Sequence, residues 1–169
     1  ICSVSSVENA SGQGIEWPMV LQNVTNAVAD RRVIDRSGLS GDRGPVVHEI
    51  AHQWWFGLVG SDQAMEPWLD EALSVYSEAI FYKYIYPNSY DWWWNFRVNW
   101  FGPSGYVDST IYEAPTFRAY VNASYLNGAN FLEALNYRMG DDAFFKFLQD
   151  YASRYGRGRA TGYDFFSIA

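Results

Sequence analysis

The stretch HEIAHQWW at residues 48–55 contains both histidines of the 169-residue chain, His48 and His52, with Glu49 directly after the first. The apolar composition of residues 46–56, preceded by Pro45 at a favourable first position, predicts a buried helix. Residues four apart lie on one face of a helix, so both imidazoles can bind one metal ion. The carboxylate of Glu49 then lies where it can take a proton from metal-bound water. The alternative is a helix whose two histidines merely pack in the core.

A third metal ligand must come from elsewhere, because a catalytic zinc takes three protein ligands and leaves one position open. The chain has no third histidine, and its one cysteine, Cys2, lies far upstream. The third ligand is therefore expected to be a carboxylate. Glu71, in the sequence WLDEA at residues 68–72, follows His52 with eighteen residues between them. It falls in the first turn of a predicted helix over residues 68–84, which could pack antiparallel against the first helix.

Two other carboxylates of this second helix are weaker candidates. Asp70 points roughly 100° away from Glu71 around the helix axis. Glu78 lies on the same face as Glu71 but about 10 Å further along the axis, too far to share the ion. A solvated carboxylate that favours the helix dipole is the alternative for Glu71.

The composition excludes several classes of protein. Hydrophobic residues make up 49% of the chain and aromatic residues 19%, which excludes intrinsic disorder. The formal net charge of −7 disfavours nucleic acid as a partner. No apolar run reaches the roughly 18 residues of a membrane span. A single cysteine forms no internal disulfide, and the localisation stays undetermined.

The remaining pattern predicts a mainly α fold with a small β element at the front. Extended segments are expected over residues 1–11 and 15–24, and residues 57–66 and 104–117 are expected as loops. Further helices are expected over residues 90–101, 119–139 and 141–155, with Gly140 as a C-cap. Thr161 to Asp164 resembles a capping box that opens a last helix. The Arg-containing and Gly-containing segment 154–159 is expected to be a solvated loop.

The two motifs together resemble the zinc aminopeptidases of the aminopeptidase N and leukotriene hydrolase type, which are gluzincins. The order HExxH, eighteen residues, then Glu is specific to that group, and the resemblance covers about residues 5–155. It implies a thermolysin-like zinc metallopeptidase catalytic domain, one Zn²⁺ per chain held by His48, His52 and Glu71, and a peptide substrate.

The segment SYLNGA at residues 124–129 resembles a second part of these enzymes. In them a tyrosine one helical turn before a glycine donates a hydrogen bond to the oxyanion, which implies that role for Tyr125. A phenol is suited to it, since it places a fixed donor where charge develops. Tyr120 also matches a family tyrosine near the site. An isolated tyrosine is uninformative among 13, so the glycine spacing carries this assignment.

The segment GIEWP at residues 14–18 resembles the strand Gly-x-Met-Glu-Asn of the same enzymes. There the backbone aligns the peptide and the glutamate binds the free α-amino group of the substrate, which implies substrate-binding roles for Gly14 and Glu16. Ile15 replaces the methionine, Trp17 replaces the asparagine and Gln13 takes the first glycine position. These departures bear on exopeptidase specificity rather than on hydrolysis.

The resemblance also suggests the domain organisation. The chain is expected to be a single catalytic-domain fragment, with a strand-containing substrate-binding edge over residues 1–28 and a helical zinc-binding part over residues 45–169. The flanking N-terminal β-domain and C-terminal helical domain of the family are expected to be absent from it. The tryptophans 92–94 and Trp100 are then expected to be core and interface with those missing domains rather than a specificity pocket.

The leading hypothesis is zinc-dependent hydrolysis of peptide bonds, with release of N-terminal residues. Two alternatives are an endopeptidase on the same scaffold and a catalytically inactive relative that binds peptides. Glu49 argues against the inactive relative, since such a protein has no chemical need for a base there.

Overall fold

Helices make up most of the part of the chain that the computed structural model describes, which is residues 44–168 without the side chains of 45 and 46. The extended segments expected within residues 1–28, with Cys2, Gly14 and Glu16, lie outside the described residues. In chain order the described elements are α1 Gly44–Ala51, β1 Val59–Gly60, α2 Trp68–Ile85, α3 Tyr90–Trp93, α4 Phe117–Tyr120, α5 Gly128–Met139, α6 Asp141–Tyr155, β2 Gly158–Arg159 and α7 Gly162–Phe166. Two π-helical turns, Trp94–Val98 and Val121–Asn127, continue α3 and α4. Short 3₁₀ turns cover Pro87–Ser89 and Asn99–Phe101. The mainly helical class with a small β element is confirmed.

Helix α2 is the centre of the core. Helices α1 and α5 and the π turn before α5 pack against it. Asp70, Ser74 and Glu78 are completely inaccessible to solvent. Although α2 has 18 residues and is largely buried, neither it nor any other helix in the described residues has the apolar length that crossing a membrane needs.

Helix α1 is shorter than the sequence predicts, since its α-helical part ends at Ala51 rather than near Phe56. The hydrogen bonds tighten after Ala51: the N–H of Gln53 bonds to the carbonyl of Ile50, three residues back, at 3.0 Å. Phe56 then adopts a φ of 107°, outside the helical range.

The shorter helix leaves the histidine pair intact. The N–H of His52 still donates to the carbonyl of His48 at 3.2 Å, so the helical spacing extends one residue past the end of α1. Both imidazoles therefore lie on one face, as the four-residue spacing requires.

Two segments expected as loops form the only strands among the described residues. Val59 pairs with Gly158 and Gly60 with Arg159 in a parallel ladder. The N–H of Ala160 extends it by donating to the carbonyl of Gly60 at 2.8 Å. This pairing needs two segments about a hundred residues apart, so no local pattern in the sequence could reveal it.

The helix predictions for the C-terminal half agree with the structure. Residues 119–139 were expected to be helical, and helical turns run from Phe117 to Met139, started by the Thr116 side chain that accepts from the N–H of Ala119. Gly140 ends this run with a φ of 81°. The capping box is also present: Thr161 and Asp164 bond reciprocally at the start of α7.

The close approach of α5 to α2 generates a prediction on stability. A Cβ atom at Gly128 would lie 2.5 Å from the Cβ of Ala72, well inside contact distance. We expect Gly128→Ala to lower the free energy of unfolding by about 1–3 kcal/mol, because both helices would have to shift. Urea denaturation measures this change.

The double variant provides the control. Ala72→Gly removes the opposing methyl group, so Gly128→Ala should cost less in that background than alone. Equal costs in both backgrounds would show that the contact does not limit the packing of these helices.

Candidate metal centre

Three potential ligand atoms converge between α1 and the first turn of α2. The Nε2 atoms of His48 and His52 are 3.1 Å apart. Oε2 of Glu71 lies 3.1 Å from the first of these nitrogens and 3.5 Å from the second. Among the described residues, these three form the group of metal-ligating side chains whose ligand atoms all lie within 4.8 Å of one another.

The spacing of these atoms fits a zinc ion. Zinc bonds to histidine nitrogen and carboxylate oxygen are about 2.0–2.2 Å long, so tetrahedral ligand atoms lie roughly 3–3.5 Å apart. The triangle of His48, His52 and Glu71 has sides in this range.

The other nitrogen of His48 is fixed by a carboxylate. Its Nδ1 donates to Oε1 of Glu78 at 3.0 Å, deep in the core. Since Nδ1 makes this bond, Nε2 is the ring nitrogen that faces the other two ligand atoms. Such carboxylate–histidine pairs orient metal ligands and raise their basicity.

His52 is also fixed through its Nδ1 atom. Its Nδ1 lies 2.5 Å from Oδ1 of the buried Asp70 and 3.2 Å from the carbonyl oxygen of Trp55, and the Ser74 hydroxyl is 3.1 Å away. The short contact with Asp70 is an ion-pair contact rather than a hydrogen bond of good geometry. Because both Nδ1 atoms face acceptors, the Nε2 atoms are the ring nitrogens that remain to bind a metal ion.

The charges around the site perturb its titration in the absence of an ion. Burial lowers the pKa of His52, but Asp70 and Glu71 outweigh burial and raise this pKa to about 10. Burial raises the pKa of Glu71, but hydrogen bonds from both histidines hold it at about 2. The pKa of His48 is raised as well, since Glu71 and Glu78 outweigh its burial. A metal ion must therefore compete with protons for the histidines.

Glu49 lies on α1 directly after the first histidine, and its side chain is exposed. It is not among the converging ligand atoms. Its carboxylate is therefore open to solvent and to a bound substrate.

Tyr125 reaches the site from the π turn that precedes α5. Its ring lies parallel to that of His48, with centroids 6.1 Å apart and an interplanar angle of 7°. Burial, followed by the interaction of its hydroxyl with the Glu71 carboxylate, raises the pKa of Tyr125. Tyr120 packs edge-on against Tyr125, with ring centroids 5.4 Å apart. The structure thus brings both tyrosines to the glutamate, whereas Gly14 and Glu16 lie outside the described residues.

Sequence reasoning missed the residues that fix the histidines. The spacing along α2 places Glu78 too far away to be a ligand, and Asp70 is predicted only as a weaker candidate than Glu71. The available signal is that both are acidic residues of a mainly apolar helix. The π turns at 94–98 and 121–127 also gave no recognisable pattern.

A helical domain in which two histidines and a glutamate converge beside an exposed glutamate has the architecture of the zinc metallopeptidases. The Peptidase family M1 domain matches residues 16–168, nine-tenths of the sequence, and the chain belongs to this family.

Curated relatives share this family. The chain is 29% identical over 133 residues to probable aminopeptidase 2 of Sulfurisphaera tokodaii, covering 72% of the chain and 17% of the relative. It is 25% identical over 168 residues to aminopeptidase N of Streptomyces lividans, covering 92% of the chain and 18% of the relative. The chain therefore spans less than a fifth of the length of these proteins.

The fold is also shared with a solved structure. A crystal structure of an M1 zinc metallopeptidase from Deinococcus radiodurans, bound to a Tyr-Ser-Ala substrate, superposes with a TM-score of 0.60 at 24% identity. The match covers 76% of this chain and 29% of that one. The expected metallopeptidase fold and the expected zinc cofactor are confirmed by these matches.

The converging ligand atoms generate a prediction on metal content. The purified protein should carry about one zinc per chain, and Glu71→Ala should lose most of it because two nitrogens alone bind zinc weakly. Elemental analysis after gel filtration measures both values. Asp142→Ala, which removes an exposed carboxylate at the start of α6, is the control and should keep its zinc. Unchanged stoichiometry in Glu71→Ala would remove this residue from the ligand set.

Proposed function

We propose that the chain is the zinc-binding catalytic part of an aminopeptidase and that His48, His52 and Glu71 hold the ion. The observation that carries the proposal is the convergence of these three ligand atoms beside an exposed glutamate. The aminopeptidase names of the relatives support the class of substrate, a peptide with a free N-terminus. A zinc ion at this site supplies a Lewis acid that polarises the scissile carbonyl and makes water acidic.

Glu49 is the general base in this proposal. Its exposed carboxylate accepts a proton from the attacking water and passes it to the leaving amine. Its position directly after His48 on α1 supports this role, because the adjacent side chain cannot bind the same ion and stays free for proton transfer.

Tyr125 stabilises the negative charge that develops on the carbonyl oxygen. Its hydroxyl interacts with the ligand Glu71 and donates to the carbonyl oxygen when a peptide binds. The raised pKa keeps the phenol protonated, as a donor must be. Tyr120 restricts the ring of Tyr125 from one side and lines the substrate site.

The substrate-binding edge belongs to the proposal as well. Residues 1–28 form it, with the backbone at Gly14 aligning the peptide and Glu16 binding its α-ammonium. The family resemblance of residues 14–18 supports this assignment. The helical part, residues 45–169, carries the zinc site.

The rest of a longer protein is the expected partner of this chain, besides the peptide. The small share of the relatives' length that the chain spans supports this. The chain also exposes large aromatic side chains, among them Trp92 at 42%, Phe96 at 54% and Trp100 at 74%. Trp93, by contrast, is completely buried, so the tryptophan run is divided between core and surface.

Replacing Glu49 tests the hydrolytic mechanism. Glu49→Gln keeps the shape of the side chain but accepts no proton, so kcat should fall about 100-fold or more while zinc stays bound. An amino-acid arylamide assay on the full-length protein, with elemental analysis of the same sample, measures both quantities. Asp91→Asn, a change at an exposed carboxylate on α3, is the control and should leave kcat unchanged.

The alternatives give different results in this assay. Near-normal kcat in Glu49→Gln would end the general-base assignment. A wild-type protein that binds zinc and peptide but hydrolyses neither arylamides nor peptides would be the inactive relative.

A comparison of free and N-acetylated peptides separates aminopeptidase from endopeptidase. If Glu16 pairs with the α-ammonium, Glu16→Ala should lower kcat/KM for free peptides by the equivalent of about 2–5 kcal/mol. Much of that loss reflects misplacement of the scissile bond. Acetylated peptides should be poor substrates for both proteins and little changed by the substitution. If the wild type cleaves acetylated peptides internally as well as free ones, the endopeptidase alternative holds.

A further inference from the structure

Glu78 is a completely buried carboxylate that no step of the proposed reaction uses. Its side chain has no solvent exposure, and it accepts four hydrogen bonds. One comes from Nδ1 of His48 at 3.0 Å and one from the indole N–H of Trp93 at 3.2 Å. The other two come from Arg97. A buried charge of this kind persists only when it is paired and its oxygens are satisfied.

Arg97 holds this carboxylate with two parallel bonds. Its Nε donates to Oε2 of Glu78 at 3.0 Å, and its Nη2 donates to Oε1 at 3.0 Å. A two-bond fork between a planar guanidinium and a carboxylate fixes the plane of both groups. Oε1 is also the atom that accepts from His48. The orientation of the histidine therefore depends on a carboxylate whose own orientation is set by the arginine.

The backbone that carries Arg97 is unusual. The residue lies in the π turn Trp94–Val98, which continues α3. The indole N–H of Trp93, the last residue of α3, donates to Oε2 of Glu78, which also accepts from Nε of Arg97. Single π turns are rare within helices and occur often at functional sites.

We propose that Arg97 is a positioning residue for zinc binding, acting through Glu78 to keep His48 in the orientation and tautomer that bind the metal. The inference rests on the proposed function for the identity of the metal. The site then includes, besides the three ligands, the buried Glu78 and a half-buried arginine that follows a separate helix.

Zinc affinity of the full chain tests this role independently of peptide hydrolysis. Arg97→Met removes the charge and the fork, and Arg97→Lys keeps the charge but cannot form the two-bond fork. The zinc dissociation constant is measured by competition with a chromogenic chelator, and the melting temperature of the metal-free protein is measured alongside. The visible spectrum of the cobalt-substituted protein reports the ligand geometry. Arg138→Met, a change at an exposed arginine on α5, is the matched control.

The expected result is a graded loss of affinity. Arg97→Met should raise the zinc dissociation constant about 10–100-fold, as for other partners of metal ligands. Arg97→Lys should raise it less and so rescue part of the affinity, and Arg138→Met should match the wild type. The cobalt spectrum should change in the two Arg97 variants but not in the control.

A double-variant cycle tests whether the effect passes through Glu78. In a Glu78→Gln background, Arg97→Lys should change the dissociation constant less than twofold, because the carboxylate it acts on is already gone. The same loss of affinity in both backgrounds would overturn the proposed route.

Other outcomes are equally decisive. If the Arg97 variants have a lower melting temperature but bind zinc as tightly as the wild type, Arg97 is structural only and the inference is wrong. If Arg97→Met does not fold, Arg97→Lys decides by the same criterion. Zinc binding that weakens as expected in a protein without peptidase activity would overturn the proposed function and leave this inference standing. A wild type that binds no zinc would overturn both.

Discussion

The burial of Asp70 and Glu78 on the α1-facing side of α2 is the constraint on which the rest of the site depends. Neither carboxylate has any solvent exposure, so each must be matched by donors or positive charge inside the protein. The donors available on α1 are the Nδ1 atoms of the two histidines. Because the Nδ1 atoms contact the buried carboxylates, both Nε2 atoms face Glu71. The same interactions that make the core chemically acceptable thus also set the geometry of the metal site.

This constraint requires close and reproducible packing around α2. Gly128 lets α5 approach the small side chain of Ala72, and the π turn that ends there carries Tyr125 to Glu71. A π turn inserts an extra residue into the helical repeat, so it shifts which side chains face the site without breaking the helix. The position of the tyrosine is therefore set jointly by a small glycine contact and an irregular turn.

The features that could be predicted from the sequence are those with a local signature. The spacing of His48 and His52, the start of α2 at WLDEA and the capping box at Thr161 are all short-range patterns. So are the helix bounds near Pro87 and Gly140, which the structure reproduces closely.

The features that could not be predicted depend on contacts between distant segments. The β1–β2 ladder joins residues about a hundred positions apart, and the fork from Arg97 to Glu78 joins two helices. The helical hydrogen bonds tighten directly after Ala51, and Phe56 then adopts a positive φ that nothing in its side chain favours. A single sequence shows that Glu78 is acidic and lies in an apolar helix. It does not show which donors will satisfy it.

The two histidines contact carboxylates that have different partners, although the sequence presents the histidines as an equivalent pair. Glu78 shares its charge with the guanidinium of Arg97 and the indole of Trp93, so less of it acts on His48. Besides the histidine, a neutral donor contacts Asp70, the amide of Gln63 at 2.5 Å. Asp70 and Glu71 together raise the pKa of His52 to about 10 although burial opposes the shift. The two sides of the site are therefore held in different ways: His48 faces a carboxylate that a guanidinium fork fixes, and His52 faces a carboxylate that a neutral amide contacts.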